Sequence, residues 1–381
     1  MKIAFVYDAV YPWIKGGAEK RIYELGRRLA ERGNEVHVFG VKWWDGAGII
    51  EKEGMVLHGV CSPMELYVNG RRSIPEAIVF SIRLIPALLK EKFDIIDVSA
   101  FPYFSCFAVK LVSVLKGIPV VITWHEVWGD YWYEYMGWRG FFGKRVEYLA
   151  SKLTHSPIAV SAMTKRNLEL LGVEGGSIRI ISNGIDLKRI ASISPSAEEC
   201  DVIFAGRLIK EKNVDMLIEA IYHLRNSIPD MSCNIIGDGP EKERLIGLTC
   251  KYGLLDSVRF FGFMEYDEII SHMKSSKVLV LPSSREGFGM VVVEAFACGT
   301  PVITVESQRN AASMLVSRGT GLVVKPDVKE LGDAIGKIIT DGELRKKMGA
   351  SAREAARGYD WENKVLELSS LYEKAIKLSK I

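Results

Sequence analysis

Short runs rich in valine and isoleucine alternate with longer amphipathic segments along the whole chain. The short runs have the length of buried strands, and the longer segments have the helical period of 3.6 residues. Strands that alternate with helices in this way form parallel sheets covered on both faces, so the pattern predicts the α/β fold class. The predicted strands are residues 2–7, 35–39, 55–60, 94–98, 120–123, 158–160 and 179–181, followed by residues 201–205, 231–236, 258–261, 277–281, 301–305 and 321–324.

The rhythm of strands and helices breaks between residues 183 and 201, where SPSAEEC has the composition of a linker. We therefore predict two doubly wound domains, residues 1–190 and residues 198–358, and a final amphipathic helix in residues 360–381. Doubly wound sheets bind ligands at the carboxyl ends of their strands. Two such domains facing each other predict a ligand cleft between them.

Composition argues against a nucleic-acid binder, a secreted protein and a membrane-spanning protein. The chain has 381 residues, a net charge of +3 and 25% charged residues, which does not suggest a nucleic-acid partner. Its six cysteines are scattered without the spacing of a metal site, as in a reducing compartment. The start MKIAFVYD favours a strand over a signal peptide, and no uncharged apolar run reaches the length of a membrane span. We expect a cytoplasmic protein.

Two glutamates eight positions apart, Glu286 and Glu294, are the most informative feature of the chain. They lie in SREGFGMVVVEAFACGT, between a predicted strand and a predicted helix. Carboxylates accept hydrogen bonds from sugar or ribose hydroxyls, which a backbone amide cannot do. The alternative interpretation is one solvated loop glutamate and one glutamate on a helix face.

The turn between these glutamates suits an anion. Gly287 and Gly289 allow the backbone to approach a ligand closely, and a helix that starts beside them directs free amide groups towards it. Two cations, Arg207 and Lys212, follow an earlier strand in FAGRLIKEKN and could neutralise a diphosphate. Solvated surface charges are the competing interpretation for this pair.

Other strand ends carry weaker signals. Gly239 belongs to GDGP, which could form the wall of a base site or a plain turn, and Phe263 offers a ring that could pack in the core. In the first half, Gly17 opens a helix in KGGAE, although the spacing matches no dinucleotide or P-loop motif. His125 ends a strand before an aromatic segment and could equally be structural.

Taken together, these motifs resemble glycosyltransferase family 4, enzymes with two Rossmann-like domains in the arrangement called GT-B. The resemblance covers nearly the whole chain, from KGGAE through His125, VSAMTK, NGID, GRLIKEKN and GDGPE to REGFGMVVVEAFACGTPVI. It implies a retaining hexosyltransferase that moves a sugar from a UDP- or GDP-linked donor to an acceptor hydroxyl, in glycan or glycolipid synthesis. The acceptor would be a glycan, a lipid-linked molecule or a small molecule.

The resemblance also implies roles for particular residues. The first domain would bind the acceptor and receive the final helix, and the second would bind the donor. Catalytic roles would fall to Glu286, His125, Arg207 and Lys212. The donor-binding residues would be Gly17, Arg207, Lys212, Gly239, Phe263, Glu286, Gly287, Phe288, Gly289, Met290 and Glu294.

Within that set, Glu286 would hold hydroxyls of the donor sugar, and Glu294 would hold the ribose. The backbone from Phe288 to Met290 would line the sugar and phosphate pocket, and Phe263 would lie where the base is recognised. Arg207 and Lys212 would bind the diphosphate.

The implied chemistry needs no cofactor. A phosphate oxygen of the leaving group would take the proton of the acceptor, and Arg207, Lys212 and the helix start would replace a metal ion. The chain departs from the family pattern after residues 301–305, where ESQRNAASM replaces a glycine pair followed by glutamate.

Two alternatives remain for the function. A sugar-nucleotide epimerase of the same architecture would need acid and base groups near the sugar, for which Glu126 and Asp130 are weak candidates. A carbohydrate or nucleotide-sugar binding protein without catalysis is the other, and the intact set of charged site residues argues against it.

A peripheral contact with the inner face of a membrane is a further hypothesis. Basic residues flank the apolar segment 74–89, and residues 138–145 form a second basic and aromatic cluster. Ordinary core helices with solvated charges explain both features as well.

Overall fold

The computed structural model describes residues 1–68 and 71–379. The chain forms two compact units. The first unit contains Met1–Asn183 and Trp361–Ile381, and the second contains Gly184–Asp360. The predicted boundary between residues 190 and 198 therefore lies too late in the chain.

The first unit begins with alternating strands and helices. Its strands are β1 (Lys2–Val6), β2 (Glu35–Gly40), β3 (Ile49–Lys52), β4 (Met55–Gly59), β5 (Tyr67–Val68), β6 (Arg71–Arg72), β7 (Ile95–Ser99), β8 (Val120–Trp124), β9 (Pro157–Ala159) and β10 (Arg179–Ile180). Its helices are α1 (Gly17–Glu31), α2 (Ile74–Leu89), α3 (Phe104–Lys116), α4 (Tyr131–Met136), α5 (Gly140–Ala150) and α6 (Ala162–Leu170), with a 3₁₀ turn at Gly137–Arg139.

The main sheet of the first unit has the order β10-β9-β8-β7-β1-β2-β4-β3. Its strands are parallel except β3, which pairs antiparallel with β4. The strand order reverses between β7 and β1, which makes that pair the switch point where ligands of such sheets bind. Strands β7 and β8 are buried along their whole length, as expected for parallel strands covered on both faces.

The second unit continues the alternation. Its helices are α7 (Leu187–Ser192), α8 (Val214–Leu224), α9 (Lys242–Lys251), α10 (Tyr266–Lys274), α11 (Met290–Cys298), α12 (Val328–Thr340) and α13 (Gly342–Ala356). Its strands are β11 (Cys200–Ala205), β12 (Cys233–Ile236), β13 (Val258–Gly262), β14 (Ser276–Leu281), β15 (Arg285–Glu286), β16 (Val302–Val305), β17 (Arg309–Asn310) and β18 (Gly321–Val324). Short 3₁₀ turns lie at Lys210–Lys212, Ala311–Met314 and Arg357–Tyr359.

The main sheet of the second unit is parallel, with the order β13-β12-β11-β14-β16-β18. Its order reverses between β11 and β14. The loops after these two strands therefore meet at the switch point of the second sheet.

The last helix, α14 (Trp361–Leu378), belongs to the first unit. Its buried Tyr372 hydroxyl donates to Asp97 in β7 at 2.5 Å. Near its start, Glu362 forms ion pairs with Arg28 at 2.8 Å and Arg32 at 2.6 Å, both in the α1 region. The helix is thus fixed to the first unit by its buried apolar face and by charged groups.

Every predicted strand is present, but the prediction missed β3, β5, β6, β15 and β17. Strand β3 forms a hairpin with β4 through Glu53 and Gly54, whose φ angles of 50° and 76° give the left-handed backbone of a two-residue hairpin turn. Glutamate is not a usual residue for that turn, so no turn motif predicted an antiparallel edge strand. The other four strands have two residues each, too short for a hydrophobic period.

The error in the boundary has a similar origin. The predicted first domain includes residues 184–190, but helix α7 packs against α11 in the second unit. Its N-cap Asp186 accepts a hydrogen bond from the Arg189 amide at 2.9 Å, and Ile190 is buried. Linker composition therefore marked the exposed residues after α7, and the structural boundary lies before this helix.

Candidate active site

The switch point of the second sheet holds an ion pair between Lys212 and Glu286. Lys212 ends the 3₁₀ turn that follows β11, and Glu286 lies in the short strand after β14. Only 17% of the Lys212 side chain and 13% of the Glu286 side chain is exposed. Opposite charges from two loops therefore lie together in a partly buried environment, where electrostatic interactions are stronger than in bulk water.

Hydrogen bonds fix the two loops against each other. The Ser284 amide donates to the Glu211 carbonyl at 2.9 Å, and the Asn213 side chain donates to the Pro282 carbonyl at 3.0 Å. The Ser307 hydroxyl donates to the Ser284 carbonyl at 2.6 Å. These bonds hold the backbone around Lys212 and Glu286 in place.

The glycine turn after Glu286 leads directly into helix α11. Gly289 is the N-cap with a φ of 95°, a conformation that favours glycine. A Cβ atom at Gly289 would lie 2.6 Å from the Cβ atom of Ala312, so a side chain there would be blocked. Phe288 is 5% exposed and packs near Tyr359, with 5.9 Å between ring centroids. The backbone of this turn, rather than the Phe288 side chain, is thus available at the start of α11.

The second glutamate of the predicted pair lies on α11 itself. Glu294 is 8% exposed, five residues into a helix that begins at Met290. A buried carboxylate on a helix is unlike the solvated helix-face glutamate of the alternative interpretation.

The segment that departs from the family pattern packs beside this turn. Strand β17 pairs with β15, so that Asn310 lies opposite Glu286. The buried Asn310 side chain donates to the Val305 carbonyl at 2.9 Å and accepts from the Ala312 amide at 3.1 Å. Asn310 therefore caps the 3₁₀ turn whose Ala312 packs against Gly289.

The GDGP turn lies against the loop that carries Arg207. Cβ atoms at Gly237 and Gly239 would lie 1.9 Å from the Gly206 carbonyl oxygen and 2.3 Å from the Leu208 carbonyl oxygen. Both glycines have positive φ, 138° and 158°. Glycine is therefore needed at both places for the loops after β11 and β12 to touch. Arg207 is exposed, and Phe263, after β13, is 61% exposed.

In the first unit, the predicted site residues lie at the carboxyl edge of the main sheet. Gly17 is the first residue of α1, which follows the loop after β1. A Cβ atom at the preceding Gly16 would lie 2.7 Å from a carboxylate oxygen of Glu19. Burial raises the pKa of Glu19 to about 7.

His125 follows β8 and is held by a neighbouring strand. Its Nε2 atom lies 3.1 Å from the Ser99 hydroxyl at the end of β7. Its ring centroid lies 6.4 Å from that of Tyr7. Burial, and then the charge of Arg21, lowers the pKa of His125 to about 3, so the imidazole is neutral near pH 7.

The sequence prediction missed a buried charged cluster at this edge. Asp8, directly after Tyr7, is 1% exposed and pairs with Arg72. The Glu76 carboxyl is also 1% exposed and lies against that of Asp8. Burial, and then the charge of Asp8, raises the pKa of Glu76 to about 8. Asp8, Arg72 and Glu76 come from three separate places in the chain, so no local motif could reveal the cluster.

The aromatic segment after His125 is organised by another buried glutamate. Glu147 in α5 accepts from the amides of Trp128 and Gly129 at 2.7 and 2.8 Å and from the Tyr103 hydroxyl at 2.7 Å. Burial raises the pKa of Glu147. Sequence reasoning considered Glu126 and Asp130 in this segment but not Glu147, which is the residue that fixes the loop.

A histidine cluster on the first sheet has the residue types of a metal site. Ligand atoms of His37, His58 and Glu91 lie within 4.8 Å of one another. However, His37 Nδ1 lies 2.7 Å from His58 Nε2, whereas two nitrogens on one zinc ion at ~2.0–2.1 Å each would be roughly 3.3 Å apart. Burial, and then His37, lowers the pKa of His58 to about 4. In this arrangement the rings form a hydrogen-bonded pair.

Across residues 1–68 and 71–379, no helix combines the length and the apolar character that crossing a bilayer requires.

Comparison with known proteins gives matches along most of the chain. Residues 15–189 match the family model described as Glycosyltransferase Family 4, and residues 188–355 match the one described as Glycosyl transferases group 1. A glycogen synthase of Mycobacterium tuberculosis is 29% identical over 264 residues, 67% of this chain. That alignment spans 63% of the length of the mycobacterial protein.

Solved structures share the fold over the full length. A sucrose-phosphate synthase from Thermosynechococcus elongatus has a TM-score of 0.83 at 22% identity, with 99% of each chain covered. The Anabaena protein HepE, solved with UDP-glucose, has a TM-score of 0.77 at 20% identity, with 98% of this chain and 100% of that chain covered. At these identities the likeness establishes the fold.

Proposed function

The chain belongs to glycosyltransferase family 4, and we propose that it transfers a sugar from a nucleoside-diphosphate sugar to an acceptor hydroxyl with retention of anomeric configuration. The fold is GT-B, as its structural relatives have it. The observation that carries the proposal is the Lys212–Glu286 pair at the switch point of the second sheet, beside the free amides of α11. A cation, a carboxylate and a helix start together match a sugar diphosphate.

The second unit would bind the donor. Glu286 would accept hydrogen bonds from hydroxyls of the transferred sugar, and the buried Glu294 would accept them from the ribose. The backbone from Gly287 through Phe288 and Gly289 to Met290 would line the phosphate and sugar pocket. Lys212, which pairs with Glu286, would also contact the bound ligand. The lysine would therefore have an anionic partner both before and after the ligand binds.

Other strand-end groups would complete the donor site. The diphosphate would lie against Arg207 and Lys212, with the base near Phe263 and the turn at Gly239. Gly17 would offer its backbone near the phosphate from the first unit, and neutral His125 would lie beside the transferred sugar. The roles of these residues rest on the family resemblance and on their places at strand ends.

We propose that the reaction needs no metal or other cofactor. The acceptor hydroxyl would attack the anomeric carbon on the side from which the nucleoside diphosphate leaves. The bond from that carbon to the phosphate oxygen would break, and a phosphate oxygen would receive the proton of the hydroxyl. Arg207, Lys212 and the α11 amides would stabilise the negative charge that develops on the leaving group.

The acceptor would bind in the first unit, at the inner face of a membrane in the cell. Helices α2 and α3 pack against each other and expose large apolar side chains, of which Ile82, Val114 and Leu115 are 62%, 69% and 64% exposed. Arg83 lies beside Ile82 on α2. Exposed apolar groups next to cations favour peripheral binding to anionic lipid.

Sedimentation with liposomes tests the membrane contact. We expect binding to anionic vesicles, weaker binding to zwitterionic vesicles, and loss of binding in Val114→Asp. The exposed Leu255→Asp change in the second unit is the matched control. Equal sedimentation of the two variants would remove this surface from the proposal.

The main function is tested with a panel of UDP- and GDP-sugars. Slow release of the nucleoside diphosphate without an acceptor, and faster release with one, is the result that we expect. Conversion of the donor sugar into an epimer would instead favour an epimerase, and binding without turnover would favour a non-catalytic protein.

A further inference from the structure

A cavity of about 320 Å³ lies within the first unit, formed by described residues of three segments. The start of α2 lines one side, the loop from β7 to α3 lines another, and helices α4 and α5 line the third. Its rim reaches the surface, because Ile74 is 47% and Phe142 is 60% exposed. A cavity of this size falls within the usual range for small ligands, ~300–1,000 Å³.

The walls of the cavity are apolar. The large apolar side chains that line it are those of Phe101, Trp132, Tyr135, Met136 and Phe142. Gly143 in α5 allows that helix to pack closely against Trp132 in α4, because a Cβ atom at Gly143 would lie 2.2 Å from the Trp132 ring. Such walls would gain from covering an apolar ligand, at about 25 cal/mol per Å² buried.

One charged group of the lining, the Arg71 guanidinium, is available to a ligand. Arg71 is exposed and lies 5.7 Å from the Tyr135 ring centroid, with no carboxylate partner in the described part of the chain. Arg72, in contrast, is paired with Asp8. A cation without a carboxylate partner, beside the start of α2, favours an anionic group at the rim.

The cavity also lies at the right edge of the sheet for the reaction. Phe101 comes two residues after Ser99, the residue that contacts His125. The loops after β7 and β1 meet at the switch point of the first sheet. A ligand with its chain in the cavity would therefore have its polar end at the same sheet edge as His125.

We propose that this cavity binds the apolar chain of a lipid-linked acceptor that carries a phosphate next to the chain. The identification of the ligand as the acceptor rests on the proposed function, whereas binding of the chain does not. At a volume of ~30 Å³ per water-sized group, the cavity has room for roughly ten methylene groups. Arg71 contacts the phosphate at the rim, and the sugar-accepting end continues towards His125.

Calorimetric titration with decyl phosphate, below its micelle concentration, tests the binding of the chain. Decyl phosphate is expected to bind, 1-decanol to bind more weakly, and inorganic phosphate at the same concentration not to bind. Filling the cavity with Met136→Trp should weaken decyl phosphate by about tenfold or more, because the chain loses its space. The control is Tyr133→Trp, on the same helix but outside the cavity.

The head group is tested separately. Arg71→Gln should weaken decyl phosphate by about threefold, as for an exposed ion pair, and leave 1-decanol unchanged. Arg139→Gln, an exposed cation outside the cavity, is the control. Equal binding of decyl phosphate to Met136→Trp and Tyr133→Trp would overturn the proposal, as would inorganic phosphate that binds as tightly as decyl phosphate.

The acceptor role has its own measurement. Met136→Trp should raise KM for a sugar linked to decyl phosphate and leave KM for the nucleotide sugar unchanged. If decyl phosphate binds but no nucleotide sugar does, the proposed function fails and the cavity assignment stands. If transfer proceeds equally well to acceptors with and without the chain, the acceptor role is wrong and the proposed function stands.

Discussion

The two units use the same part of a doubly wound sheet in different ways. In the second unit, Lys212 and Glu286 come from two loops that are joined by hydrogen bonds from the Ser284 amide and the Asn213 side chain. In the first unit, the sheet edge carries the buried Glu76, the partly buried His125 and an apolar cavity. The difference suits a charged ligand in the second unit and a mostly apolar ligand in the first.

Short sequence motifs predict the candidate site of the second unit, but they do not predict the cavity of the first unit. A diphosphate and a sugar require a few charges and backbone amides at loop ends, which short continuous stretches such as REGFG can provide. A cavity for an apolar chain is made by side chains from several helices. Its residues, including Arg71, Phe101 and Trp132, are separated along the sequence.

The largest expected effect is on turnover, through the charges of the second unit. Lys212→Ala and Glu286→Ala should each reduce kcat/KM at least tenfold, or by about 1.4 kcal/mol or more of transition-state stabilisation. Lys210→Ala, in the same 3₁₀ turn, and the exposed Glu306→Ala are the controls. Steady-state kinetics with the donor found in the panel measures the change.

Near-normal turnover in both variants would contradict the site assignment. Because Lys212 and Glu286 pair with each other, the double variant should lose less than the product of the two single losses.

A second prediction concerns packing behind the aromatic cavity. Gly143→Ala should destabilise the first unit by about 1–3 kcal/mol, because the added methyl group would overlap the Trp132 ring. Gly247→Ala, in α9 of the second unit, meets nothing within 4 Å and is the control.

The eight tryptophans, Trp13, Trp43, Trp44, Trp124, Trp128, Trp132, Trp138 and Trp361, all belong to the first unit. Urea unfolding followed by tryptophan fluorescence therefore reports on that unit alone. A tryptophan transition that moves equally in Gly143→Ala and Gly247→Ala would contradict the close contact.

The third prediction concerns the buried carboxyl pair of the first unit. The pKa of Glu76 is raised from 4.5 to about 8, so its protonated form stabilises the fold below pH 4.5, and this contribution is lost as the pH rises towards 8. In Glu76→Gln, the loss of unfolding free energy between pH 5 and pH 8 should be smaller by about 1 kcal/mol or more. Urea unfolding at the two pH values measures it.

Glu65→Gln, at an exposed position, is the control for this series. It should keep the slope of the parent protein. A Glu76→Gln variant with the parent slope would show that the Asp8–Glu76 contact does not retain its proton.

The smallest expected effect concerns His125, which we expect not to titrate near neutral pH. The pKa of His125 is lowered from 6.5 to about 3, so this imidazole gains no proton between pH 5.5 and 7.5. The pH profile of kcat/KM should therefore contain no inflection that belongs to His125. An inflection near pH 6.5 that disappears in His125→Gln would contradict the neutral imidazole.

The sequence by itself determined the α/β fold class, the positions of the predicted strands and the glycine turns at strand ends. It could do so because buried parallel strands are continuous apolar runs, and because Gly237, Gly239 and Gly289 occupy positions where a Cβ atom would collide with neighbouring backbone or side chains. These features can be predicted from a short stretch of sequence, because each depends on the residue types within that stretch.

Only the tertiary structure decided the boundary at Asn183, the antiparallel strand β3 and the chemistry of the first unit. Asp8, Arg72 and Glu76 become a buried cluster because the start of α2 packs beside the end of β1, and Trp132 becomes a cavity wall because Gly143 lets α5 approach it. Burial and proximity between distant segments set these properties, and no spacing along the chain encodes them.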